Sequence, residues 1–106
     1  MRRHMENSQA IQEKALTRLS RVFHIPISEE QMSFRFGEDL EATFVSDFKR
    51  NELDQINDDI HDVADRAMRE KLDRGELTIH TVKDYSDHMI RCSTTNAAEV
   101  MCVLNG

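Results

Sequence analysis

Apolar residues spaced three and four apart are the feature that most limits how this chain can fold. In three stretches they fall on one side of a helix, whereas strict alternation occurs once and has no second strand to pair with. One proline and three glycines in 106 residues are too few for a fold of many short strands and turns. We therefore predict an all-α fold, a bundle of three to four helices around one core.

The first two of these apolar stretches, each a stripe along one side of a helix, predict two helices. One helix is predicted from about Ser8 to Phe23, where Ile25 and Pro26 end it because proline removes an amide donor. Its buried side would carry Ile11, Ala15, Leu16, Leu19, Val22 and Phe23. A second, longest helix is predicted to begin after Ser46 and to end in a left-handed cap at Gly75.

A third stripe and a tail complete the predicted domain organisation. The third helix is expected to begin at Val82 and to end near Cys92. Residues 1–7 are expected to be a disordered N-terminus, residues 8–92 the bundle, and residues 93–106 an extension that packs on it as a short helix. Between the first two helices, the alternating Met32, Phe34 and Phe36 are interpreted as anchors of a long loop.

Charge narrows the classes of partner. Twenty acidic residues against fourteen basic ones give a net charge of -6, which should repel nucleic acid and anionic membranes and attract basic protein surfaces. No hydrophobic run approaches a membrane span, and the polar N-terminus lacks a signal peptide's apolar core, so a soluble, cytoplasmic protein is expected. Cys92 and Cys102 are expected to be free thiols.

Three short stretches carry a resemblance to a known family. They are Ile11-Gln12-Glu13-Lys14, Phe36-Gly37-Glu38-Asp39-Leu40-Glu41-Ala42 and Ile79-His80-Thr81-Val82-Lys83-Asp84-Tyr85. In content and order the chain resembles the acyl and peptidyl carrier proteins, small acidic helical bundles that carry substrates on a phosphopantetheine arm. The likeness covers roughly residues 8–92, and the family's Asp-Ser-Leu is Val45-Ser46-Asp47 here.

The resemblance implies a carrier and not an enzyme. Ser46 would be the attachment residue, and a phosphopantetheinyl transferase would move 4′-phosphopantetheine from coenzyme A onto its hydroxyl. The arm would hold an acyl group as a thioester for acyl-processing enzymes, with Asp47 among the residues that contact them. The plainer alternative is that Ser46 only caps a helix, which serine does without any cofactor.

Acidic residues on the second helix suggest how partners would bind. Spacings of four and three place Asp54, Asp58, Asp62 and Asp65 on one exposed ridge. Like charges at this spacing cost about 0.2–0.5 kcal/mol per pair, so local helix stability does not explain them. The resemblance implies a docking face for basic patches. Alternatives are a solvated face, a carrier fold without the arm that binds a basic partner, or an acidic mimic of nucleic acid.

The remaining polar residues do not form a recognisable site. Asp84 and His88 lie four apart, with His61 or His80 as distant companions, but two ligands at helical spacing are not a metal site. No nucleophile, base and orienting group occur together in a known pattern. We therefore predict neither a metal nor catalysis, and we expect a monomer.

Overall fold

Four α-helices make up most of the structure. This computed structural model describes the backbone of residues 2–40 and 52–105, and the side chains of residues 8–40 and 52–105. The helices are α1 (Arg2–Phe23), α2 (Glu52–Val63), α3 (Arg66–Arg74) and α4 (Val82–Asn105). The described ranges hold isolated bridges but no β-strand, so the predicted all-α bundle is confirmed.

The first helix is longer than its stripe predicted. It begins at Arg2 and not at Ser8, so residues 2–7, expected to be disordered, form its first turns. It ends at Phe23 as predicted, and His24 follows in a left-handed conformation with φ of 59°. The backbone N–H of Ile27 donates to Ser20 Oγ at 2.9 Å, which ties the following turn back to α1.

The long loop is fastened to the bundle as expected. A short 3₁₀ helix, Glu29–Gln31, follows Ser28, whose backbone N–H donates to Gln31 Oε1 at 2.7 Å. The loop side chains that pack against the core are Met32, Phe34 and Phe36. They therefore anchor the loop through the same apolar contacts that hold the helices together.

The single long second helix was predicted wrongly. The helix is interrupted at Ala64 and Asp65, so that the segment up to Gly75 forms two helices, α2 and α3. The apolar stripe continues across the break, which is why periodicity alone did not reveal it. The left-handed cap at Gly75 is confirmed, with φ of 77° and its N–H donating to the carbonyl of Leu72.

The C-terminal part agrees closely with the prediction. The predicted third helix and tail helix lie within α4, where two helical segments meet at a kink. A kink at Asn96, with φ of -139° and ψ of 44°, marks where the two were expected to separate. Beyond it Val100 and Leu104 are buried, so the tail belongs to the core.

The core lies between α1, α2 and α4. Helix α3 contributes no buried residue, while its half-buried Met68 and Leu72 pack on the core's edge. The buried apolar residues of the three core helices are Ile11, Ala15, Leu16, Leu19, Val22, Phe23, Ile56, Ile60, Val63, Val82, Tyr85, Met89, Cys92, Val100 and Leu104. No helix within the described ranges is long and apolar enough to cross a membrane.

Candidate functional site

The acidic side of α2 is partly as predicted. Asp54 and Asp62 are exposed and Asp58 is half-buried, while Ile56 and Ile60 on the same helix point into the core. Glu52 and Asp54 occupy the first turn, where the helix dipole favours negative charge. The spacing of four thus places Asp54, Asp58 and Asp62 along the side of α2 away from its buried stripe.

Asp65 does not belong to this ridge. It is the N-cap of α3, and its Oδ1 accepts a hydrogen bond from the backbone N–H of Met68 at 2.9 Å. Its Oδ2 accepts from the Thr95 hydroxyl of α4 at 3.1 Å. The Met68 N–H is the main cause of a lowered pKa for Asp65. Its placement on a continuous helical ridge was therefore wrong, because the helix ends before it.

With Glu52, Asp59 is one of two buried acidic residues of this helix, and the sequence pattern assigned it no role. Arg18 of α1 donates to it twice, from Nε to Oδ2 at 3.0 Å and from Nη2 to Oδ1 at 3.1 Å. The Tyr85 hydroxyl of α4 donates to Oδ2 at 2.9 Å. Asp59 is in phase with the buried Ile56, Ile60 and Val63, and this phase distinguishes it from Asp58 and Asp62.

The environment of Asp59 shifts its partners' proton affinities. Burial, and then the Asp59 charge, raise the pKa of Tyr85 well above its usual value. The hydrogen bond to Asp59 likewise raises the pKa of Arg18. Tyr85 thus stays neutral and Arg18 stays charged over the ordinary pH range. The trio joins α1, α2 and α4 through one charged pair.

Side chains of α4 satisfy the last carbonyl groups of α2. His88 Nε2 lies 2.9 Å from the carbonyl oxygen of Ile60, and Asn96 Nδ2 donates to that of Val63 at 3.0 Å. These carbonyls have no partner within their own helix. The geometry of Asn96 at the kink is thereby tied to the point where α2 ends.

The buried His88 and Cys92 are in contact, with the Cys92 Sγ 3.6 Å from the His88 Nε2. Burial is the main cause of a lowered pKa for His88, and burial raises the pKa of Cys92 to about 11. A thiol with that pKa is almost wholly protonated at neutral pH and is a poor nucleophile. Asp84, considered above with His88, instead accepts from the backbone N–H groups of His80 and Thr81. Among the described residues no three metal-ligating side chains cluster.

Two of the stretches that carried the family resemblance are in contact. The N–H of Phe36 donates to the carbonyl of His80 at 2.8 Å, and the N–H of Val82 donates to that of Phe34 at 3.0 Å. The Phe36 ring lies 6.1 Å from the ring of Phe23 and 6.3 Å from that of Tyr85, centroid to centroid. The loop is thus held to the start of α4.

The backbone of the loop motif is fixed locally. Gly37 has φ of 87°, a conformation that favours glycine, and its N–H donates to the carbonyl of Leu40 at 2.8 Å. Leu40 is 2% exposed and is the last described residue before α2. Ser46 and Asp47, the predicted attachment residue and its neighbour, lie outside the described residues.

No protein-family model matches the chain, and the searches of curated proteins and of solved structures found no match either.

Proposed function

We propose that this protein is an acyl carrier of the cytoplasm, which holds an acyl group as a thioester on a 4′-phosphopantetheine arm attached to Ser46. The observation that carries the proposal is the hydrogen-bonded contact between the loop of Phe36 and the start of α4 at Val82. These are the two longest stretches on which the resemblance rests. Their contact supports the resemblance because it makes them one structural unit.

The arrangement of the helices supports the same function. In the sequence Ser46 lies between Leu40, which is buried in the core, and α2. An arm attached there would lie close in sequence to the acidic side of α2. Exposed carboxylates on that side, Asp54 and Asp62, would steer basic patches of a transferase or an acyl-processing enzyme toward the arm.

The test is enzymatic loading followed by intact-mass measurement. The full chain is incubated with coenzyme A, Mg²⁺ and a broad-specificity phosphopantetheinyl transferase, and a mass gain of one phosphopantetheine group is expected. Ser46→Ala should abolish the gain because the serine oxygen is the nucleophile. Ser28→Ala, which alters an exposed serine of the preceding loop, should load like the parent chain. No gain with a transferase that loads a reference carrier contradicts the proposal.

A second candidate is an acidic interaction module without an arm. It is favoured by the exposure of Asp54 and Asp62 on α2, whereas Asp59 on the same helix is buried. Binding to a basic partner protein should weaken in the double variant Asp54→Asn and Asp62→Asn and should be unchanged by Ser46→Ala.

Asp73→Asn is the matched control for this module, since it removes an exposed charge on α3. The contacts should also weaken with salt, because exposed charges are screened over about 8 Å at physiological ionic strength. Binding that is insensitive to salt and to the two α2 substitutions excludes the module.

A further inference from the structure

A groove between α1 and α4 has no part in the proposed carrier function. Its volume is about 270 Å³, and it is lined by Ala10, Ile11, Lys14, Ser93, Ala97 and Met101. Four of these six residues are apolar. Met101 is 37% exposed. Among the described residues, the groove therefore presents accessible apolar surface.

The shape of the groove suits an extended chain better than a ring. Its α4 wall is formed by Ser93, Ala97 and Met101, which lie on both sides of the kink at Asn96. Its α1 wall includes Ala10 and Lys14, which are four residues apart and thus on successive turns. The alanines leave room because their side chains are short. A volume just below the roughly 300–1,000 Å³ of ordinary ligand pockets fits a small, slender molecule.

The charge of the lining residues indicates which charge a ligand should carry. Among the described residues that line the groove, Lys14 alone is charged, so this part of the groove is locally cationic although the chain as a whole is acidic. The Lys14 ammonium donates to Asn105 Oδ1 at 3.2 Å. An ammonium has three donors, so two remain for an anionic group of a ligand. Apolar walls with one cation match an alkyl chain that ends in a carboxylate.

We propose that this groove binds a medium-chain alkyl carboxylate non-covalently. The alkyl chain lies between the walls formed by Ala10 and Ala97 and along Met101, and the carboxylate accepts hydrogen bonds from Lys14. The site does not depend on Ser46, so an unmodified chain binds the ligand as well as a loaded one.

The probe is sodium decanoate below its micelle-forming concentration, titrated into the full chain by calorimetry and by amide chemical-shift mapping. Saturable binding at one site is expected, with the largest shifts at Ala10, Lys14, Ala97 and Met101. Decyltrimethylammonium, with the same alkyl chain and the opposite charge, should bind more weakly. Equal binding of the two probes, or shifts elsewhere on the surface, overturns the proposal.

Matched substitutions distinguish binding in the groove from nonspecific adsorption of an amphiphile to the protein surface. Ala97→Phe fills the groove and should abolish saturable binding, while Ala98→Phe, at the neighbouring exposed position outside the lining, should not change it. Lys14→Met should weaken binding about threefold, the effect of one solvent-accessible ion pair, and Lys71→Met on α3 should leave it unchanged.

The same variants identify a different occupant. If sedimentation shows that the parent chain dimerises and that Ala97→Phe, but not Ala98→Phe, prevents it, the groove is occupied by a second copy and the ligand proposal is overturned. Decanoate affinity that is the same in Ala97→Phe as in the parent chain also overturns it.

Discussion

Replacing Asp59 with asparagine tests the charged connection between three helices. In the native chain the carboxylate accepts two hydrogen bonds from Arg18 and one from Tyr85 while only 4% of the residue is exposed. Asparagine keeps the shape but removes the charge, and its amide group presents N–H donors where the native atom accepts. The substitution leaves the Arg18 cation without its counter-charge in a partly buried position.

The expected cost follows from burial. Removing one partner of a buried ion pair costs about 3–5 kcal/mol, because the other charge stays desolvated. The Arg18 side chain is 18% exposed, so water can recover part of that loss. We therefore expect Asp59→Asn to lower the free energy of unfolding by about 3 kcal/mol, the low end of that range. For a domain stabilised by about 5–15 kcal/mol this is a large fraction.

The assay is urea denaturation at neutral pH, followed by circular dichroism. Asp62→Asn is the matched control, since it makes the same change at an exposed position of α2 and should stay within about 0.5 kcal/mol of the parent chain. The double variant Arg18→Met and Asp59→Asn should lower the free energy of unfolding by less than the sum of the two single variants, because it no longer contains the unpaired Arg18 cation. If Asp59→Asn costs no more than Asp62→Asn, the buried connection does not contribute as argued.

Three further predictions concern single positions. Burial lowers the pKa of His88 below its usual 6.5, so the unfolded chain binds more protons at this residue than the folded chain does. The contribution of His88 to stability should therefore be complete above pH 6.5 and should decline as the pH falls towards the folded-state pKa. Urea titrations of His88→Gln at several pH values should lack this pH dependence. Ser86→Ala should raise the free energy of unfolding by about 1 kcal/mol, since the buried hydroxyl has no hydrogen-bond partner in the described structure. A loss of thermal stability similar to that of Ser93→Ala would contradict this. Gly75→Ala should cost about 1 kcal/mol in chemical denaturation because alanine disfavours φ of 77°, although open space surrounds the position; an unchanged midpoint would mean that the α3 cap contributes little.

The spacing of apolar residues and glycines along the sequence predicted those parts of the fold that depend on interactions between residues close in the chain. The stripe of α1 and the left-handed Gly75 are features of neighbouring residues, and both are found as expected. Asp59 was also within reach, because it lies in phase with Ile56 and Ile60.

Distant contacts determine the features that the sequence pattern missed. Helix α2 ends where it does because Asn96, 33 residues away, satisfies the carbonyl of Val63, and because Asp65 caps a new helix. The apolar stripe carries no sign of either contact. The groove depends in the same way on two alanines, Ala10 and Ala97, that line one groove only when α1 and α4 pack. Residue spacing along one helix cannot reveal such a meeting.

The most direct test of the carrier proposal is the intact mass of the protein purified from its own cells, followed by fragmentation to locate any added group. The proposal predicts an added phosphopantetheine, with or without an acyl group, on the peptide that contains Ser46. A chain that carries no added mass in those cells, while other carriers from the same extract do, contradicts it.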